Sequence, residues 1–140
     1  MASAPRERLK FLDFDFERLP NGRHRSKVVL EWRTGEKFVG QSEGVGSEAA
    51  ELRCTAQATV GALEKAVRST SHETSFELLG VKAVRAFDAT VVIVSLSCHD
   101  EGKATRLVGS CLAVDEVNRG AVLAVLNATN RLLGNIVFMR

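Results

Sequence analysis

What this chain lacks narrows its reading first. No apolar run approaches the roughly 18 residues that would suggest a membrane span, so none is expected. The opening Met-Ala-Ser-Ala-Pro-Arg-Glu-Arg has no apolar middle of the kind a secretion signal carries. Only two prolines occur, and there is no low-complexity stretch, as in an ordinary globular domain. Cys54, Cys98 and Cys111 are far apart and form no C-x-x-C pair. An odd count on an unsecreted chain reads as buried, reduced thiols in a cytoplasmic protein, ahead of redox or metal chemistry. No H-E-x-x-H, phosphate-binding loop or dinucleotide-binding glycine pattern appears, so neither metal nor cofactor is expected. Charge of one sign is also scarce: 19 Lys and Arg stand against 17 Asp and Glu, a net +2. Such a weak global field favours no particular partner.

What is present is periodicity. Residues 9–19 alternate, with Leu12, Phe14 and Phe16 on one face and Asp13, Asp15 and Glu17 on the other, which predicts a strand. Pro20-Asn21-Gly22 stops it. Strands are predicted over 28–33 and 37–40, joined by the tight turn Thr34-Gly35-Glu36. Residues 42–46 read as a glycine-rich loop. Ser47 reads as a helix N-cap, with Glu48 in the first turn where the helix dipole favours an anion. Leu52, Ala56, Val60, Leu63 and Val67 then recur at helical spacing to about Arg68. The pattern starts again after a polar break, with strands over 76–87, 90–98 and 104–114 and a turn at 99–103. A second helix is predicted from the N-cap Asp115 to about Leu133, stopped by Gly134. The short apolar tail 135–140 should dock.

The order is therefore β-β-β-α twice, within a single domain over 1–140: one repeat at about 9–68, another at about 76–133, and tails at 1–8 and 135–140. The halves also correspond in sequence. Val28-Val29-Leu30 answers Val91-Val92-Ile93, Phe38-Val39-Gly40 answers Leu107-Val108-Gly109, and 58–67 answers 124–133. The expected fold class is α+β: a six-stranded, mainly antiparallel sheet or two three-stranded ones, with both helices on one side. In the second helix, 121–126 is apolar all round. A partner subunit could cover its extra face, which would place Leu123, Leu126, Asn127 and Asn130 in a homodimer interface. Alternatively the helix lies between the sheet and the first helix.

Several phrases resemble the C-terminal regulatory domain of 2-isopropylmalate synthase and the related citramalate and homocitrate synthases. The carriers are Leu78-Leu79-Gly80-Val81-Lys82-Ala83-Val84, the Asp88-Ala89 step, and the run from Gly109 through Asp115 to Ala128-Thr129-Asn130-Arg131-Leu132. The resemblance covers about 9–133. It implies duplicated β-β-β-α units that pair as dimers and bind a feedback amino acid near the dimer interface, here without the catalytic barrel. The chain's own residues place a candidate site on the segments before the two helices: Gly40, Ser42, Gly44, Gly46 and Ser47, with Gly109, Ser110 and Asp115. Backbone amides and helix N-termini there could hold an anionic metabolite such as an amino acid or a 2-keto acid.

Other motifs have plainer readings. Gly40-Gln41-Ser42-Glu43-Gly44 matches G-x-S-x-G, but a nucleophile elbow needs a helix immediately after the serine and a much larger fold. A polar connecting loop is expected, with no catalytic residues and no enzymatic activity. His24, His72 and His99 fall in predicted loops, and His99-Asp100-Glu101 reads as an exposed turn, since adjacent residues seldom converge on one ion. Asn127-Ala128-Thr129 fits the glycosylation pattern but sits inside a predicted helix. Arg23-His24-Arg25 with Lys27 is the densest basic cluster; it reads as a solvated turn neutralised by the acids of the first strand, in preference to a nucleic-acid contact. The expected function is a cytoplasmic, dimeric, ligand-sensing domain. A structural subunit that joins another protein is the alternative, and a weak nucleic-acid-binding module the third.

Overall fold

The computed structural model describes residues 9–32, 35–70, 73–114 and 116–138, with 131–138 as backbone. Strands β1 (Lys10–Arg18), β2 (Arg23–Glu31) and β3 (Lys37–Val45) are followed by helix α1 (Glu48–Arg68). Strands β4 (Thr74–Ala86), β5 (Ala89–Asp100) and β6 (Lys103–Ala113) are followed by α2 (Val117–Phe138). The α+β fold and the duplicated β-β-β-α order are as expected. The sheets are separate and antiparallel, ordered β1-β2-β3 and β4-β5-β6. Helix α1 lies on β2 and β3 and reaches β4, while α2 lies on β5, β6 and α1.

Strand pairing makes the duplication concrete. Gly40 of β3 faces Val28 across the ladder, and Gly109 of β6 faces Val94. Both glycines sit under their helix. A methyl on Gly40 would collide with the Ala58 carbonyl and lie 2.6 Å from the Ala62 nitrogen. One on Gly109 would collide with the Ala124 carbonyl and lie 2.5 Å from the Ala128 nitrogen. A side chain at either position would lift the helix from the sheet. The edge strands match too, with a bulge between Phe11 and Asp13 in β1 and another between Leu78 and Gly80 in β4. This register aligns Val28 with Val94 and Leu30 with Leu96, correcting the middle-strand alignment taken from sequence, which had set Val28 against Val91.

The bulge also corrects the reading of β1. Phe14 and Phe16 do face inward with Asp13, Asp15 and Glu17 outward, but Leu12 is the extra residue and is exposed, and Phe11 packs on the core in its place. A bulged residue has no partner across the ladder, so strict alternation fails there.

One contiguous core joins the layers. Leu52, Ala56, Val60, Leu63 and Val67 of α1, the predicted stripe, are all buried. Full burial of a side chain such as Leu63 contributes about 1.5–3 kcal/mol relative to exposure. Ala121, Val122, Ala124, Val125 and Leu126 of α2 are buried as well. These five residues of α2 are thus covered within the chain by its sheet and α1. Of the four residues assigned to an interface, Leu126 is buried in this core and Asn130 half-buried, while Leu123 is 37% exposed and Asn127 exposed.

Other boundaries differ for local reasons. Strand β2 begins at Arg23 and β3 continues to Val45, so 42–45 is strand and not loop. Polar inward residues disguised both ends. Ser26 and His24 point into the core, and the Ser26 hydroxyl is 2.8 Å from that of Thr55. The last helix passes Gly134 and runs to Phe138, so the predicted stop and much of the docking tail are helical. The turn before β6 narrows to Glu101-Gly102, both at positive φ, and Phe87, predicted in a strand, forms the β4–β5 turn with Asp88 at φ 54 and 58. Asp115 and His72 lie outside the described residues.

Replacing Gly40 or Gly109 by alanine should lower the unfolding free energy by about 1–3 kcal/mol through overpacking. Gly80→Ala, where nothing lies within 4 Å of the added methyl, should change it by less than about 0.5 kcal/mol. Urea unfolding of the three variants compares them directly.

Candidate functional site

The first turns of both helices meet over β4. Gly46, at φ +123, ends β3 and donates its N–H to the Gly22 carbonyl at 3.1 Å, which turns the chain into α1. Ser47 then occupies the N-cap position, without a capping hydrogen bond from its side chain. Glu48 and Glu51 fall in the first turn. The Glu51 side chain is only 12% exposed. Arg18, near the end of β1, donates to it twice, from Nε to Oε2 at 3.1 Å and from Nη2 to Oε1 at 3.0 Å. Asn118 in the first turn of α2 donates from Nδ2 to Oε1 at 3.4 Å. One carboxylate therefore ties the first strand to both helices. The Arg18 hydrogen bond holds the Glu51 carboxyl below its ordinary value of 4.5, against the opposing effect of burial.

Beside this network is a cleft of about 680 Å³. Leu52 of α1, Val81 and Ala83 of β4 and Val117 of α2 supply apolar wall, and Thr90 adds a hydroxyl. Glu48 and Glu116 stand at its helix side, Lys82 and Arg85 at its strand side. Among the described residues none of these four charges has an ion-pair partner. The cleft thus offers charges of both signs across an apolar floor, and Glu48 and Glu116 lie close enough to Arg18 to act on it electrostatically.

The segments chosen from sequence lie elsewhere. None of Gly40, Ser42, Gly44, Gly46, Ser47, Gly109 and Ser110 lines the cleft, although Glu48 and Glu116, next to two of the predicted positions, do. Gly40 and Gly109 are filled by the helices above them. A methyl on Gly44 would come 2.6 Å from Cε1 of His24. The Ser42 carbonyl accepts the Cys54 thiol at 3.2 Å, and the Ser110 N–H donates to Asn127 Oδ1 at 3.1 Å. With 42–45 in a strand, the G-x-S-x-G match is no elbow.

His24, predicted in a loop, is buried on β2 against the Phe16 ring at 5.9 Å, with neither ring nitrogen hydrogen-bonded. His99 is on β5, 3.6 Å from Glu77. Among the described residues no group of three or more His, Cys, Asp or Glu is placed to hold a metal ion. Burial pushes the Cys98 and Cys111 thiols up, away from the reactive thiolate. The basic cluster is split by the strand: Arg25 pairs with Glu17 at 3.0 Å and with Glu43 at 3.7 Å, and Arg23 with Glu43 at 3.9 Å.

Arg18, Glu51 and Asn118 escaped sequence reasoning because they are 33 and 67 positions apart. Only Val81 to Val84, noticed as a family-like phrase, pointed near the cleft. No family model matches this chain, and no curated protein matches it. The fold defines its class: a duplicated β-β-β-α domain with a cleft at the meeting of its helix N-termini. No helix among the described residues is long and apolar enough to cross a membrane.

Because the folded protein lowers the Glu51 pKa, the contribution of Glu51 is complete above about pH 4.5 and is lost as pH falls through the lower folded value. Glu51→Gln should therefore destabilise the protein at neutral pH and converge on wild type as pH drops below 4.5. Urea midpoints measured across that range would show the convergence.

Proposed function

We propose that this chain is a non-catalytic, dimeric sensing domain of the kind that regulates isopropylmalate and citramalate synthases, and that it binds a small amino acid. The observation that carries this reading is the cleft, where the carboxylates of Glu48 and Glu116 face Lys82 and Arg85 over an apolar wall, none of the four in an ion pair among the described residues. Its volume, about 680 Å³, is of the size that small-molecule sites occupy. The duplicated β-β-β-α order agrees with what the sequence resemblance implies.

The chemistry favours a zwitterion over a simple anion. The helix N-termini that would attract an anion already carry Glu48, Glu51 and Glu116, so that positive potential is spent on the chain's own carboxylates. A ligand ammonium suits Glu48 and Glu116, and a ligand carboxylate suits Arg85, whose guanidinium can hold it with two hydrogen bonds. An aliphatic side chain would rest on Val81, Leu52 and Val117. Such a ligand would bridge α1, α2 and β4, elements from both repeats. It would stabilise their mutual arrangement by its differential affinity, which is the thermodynamic content of sensing.

Titration calorimetry should show that amino acids bind and that 2-keto acids of the same side chain, lacking the ammonium group, bind more weakly. Arg85→Ala should weaken the best ligand by about tenfold or more. A folded protein that gives no heat with any member of the panel would end this reading.

A further inference from the structure

The two repeats have the same backbone but opposite outer faces. In the first sheet a cross-strand row runs Glu17, Arg25, Glu43 on the side away from the helices. All three side chains are joined by ion pairs. The register set by Gly40 and Gly109 puts Val84, Val91 and Leu112 at the equivalent positions of the second sheet, again a complete cross-strand row. In the neighbouring row Lys27 is answered by Ile93 and Gln41 by Ser110. Asp15, which completes that row, is answered by Lys82, so the ion-paired row becomes aliphatic in the second sheet while its neighbour keeps one charge and one hydroxyl.

That aliphatic face has no cover. Leu112 is 57% exposed, Val108 64% and Ile93 39%. At the same end of the sheet Val114 is 82% exposed, and Phe87 on the β4–β5 turn is fully so. A bulky side chain held at positive φ and given wholly to solvent is a costly arrangement for a free surface. Together these exposed side chains present on the order of 600 Å², close to the roughly 800 Å² a side that a stable dimer buries. An apolar patch of that size, with only Lys82, Ser95 and Ser110 set among its residues, marks an interaction surface.

We infer that the outer face of β4-β5-β6 is a homodimer interface, with the Val84-Val91-Leu112 row of one copy stacked on that of a second. The apolar area exposed around this row is close to what one side of a stable dimer buries, and a second copy presents the same area to it. Two such sheets pack about 10 Å apart with their side chains interleaved. Phe87 is the aromatic anchor at the rim. The inference rests on the dimeric part of the proposal above and relocates the contact from α2, where Ala121, Val122, Ala124, Val125 and Leu126 are already buried within the chain. It needs no ligand in the cleft, although Val84 also lines the edge of that cleft.

The test transplants the first sheet's row onto the second, as the triple variant Val84→Glu, Val91→Arg, Leu112→Glu, and also uses Leu112→Glu alone. Val45→Glu, at an exposed position of the first sheet, is the control. Sedimentation velocity and light scattering give the mass, and circular dichroism and thermal melting confirm folding. The expected result is a dimeric wild type and control, with folded variants whose dissociation constant rises by at least about 100-fold, because unpaired charge is buried in the contact. A dimeric wild type whose folded variants stay dimeric would overturn this interface while leaving the dimer itself standing. A monomeric wild type at high concentration would overturn both.

Discussion

Both helices lie on their sheets at a separation that only a glycine on the facing strand allows. The contacts of Gly40 with Ala58 and Ala62, and of Gly109 with Ala124 and Ala128, are the fixed points of the molecule. Close approach brings backbone against backbone and lets side chains on either flank interdigitate at crystal-like density. It also sets the register of each helix along its sheet, and so decides which residues of α1 and α2 reach the core and where their first turns end up. The second contact reproduces the first, which makes the molecule a duplicated one in its packing as well as in its order of elements.

The cleft follows from that placement. With the helices held in register, Glu51 comes within reach of Arg18 on one side and Asn118 on the other. A carboxylate that is mostly buried is tolerable only when its lone pairs are satisfied, and here two neighbours on different elements do so. The network uses up Arg18 and Glu51 and leaves Glu48, Glu116, Lys82 and Arg85 facing the open volume. The divergence between repeats shows most clearly on the outer faces, where one backbone supports an ion-paired row in one copy and an aliphatic row in the other.

Much of the fold was legible in the residues. The helical stripe from Leu52 to Val67, the N-cap position of Ser47 and the end of α1 at Arg68 were all readable, because amphipathic spacing and capping are local. Six strands in two sets of three were readable for the same reason. The errors have a common cause. Strand β2 begins with Arg23-His24-Arg25 and β3 ends with Ser42-Glu43-Gly44-Val45, where inward positions hold His24, Ser26, Ser42 and Gly44 in place of aliphatics. Alternation was present there, but not in hydrophobicity, and the segments looked like turns. Gly134 looked like a helix stop and is passed through.

The sequence by itself determined the order β-β-β-α twice over and the inward faces of α1, because these depend on neighbours within a few residues. It also held both close-approach glycines, although they suggested ligand-binding loops until the helices were seen above them. Tertiary structure alone decided that α2 buries Ala121, Val122, Ala124, Val125 and Leu126 inside the chain. It alone joined Arg18, Glu51 and Asn118 around one carboxylate, and set the row Val84-Val91-Leu112 against the charged row of the other repeat. Each of those depends on residues far apart in the chain being brought within a few ångströms, and no local pattern encodes which distant residue will be the neighbour.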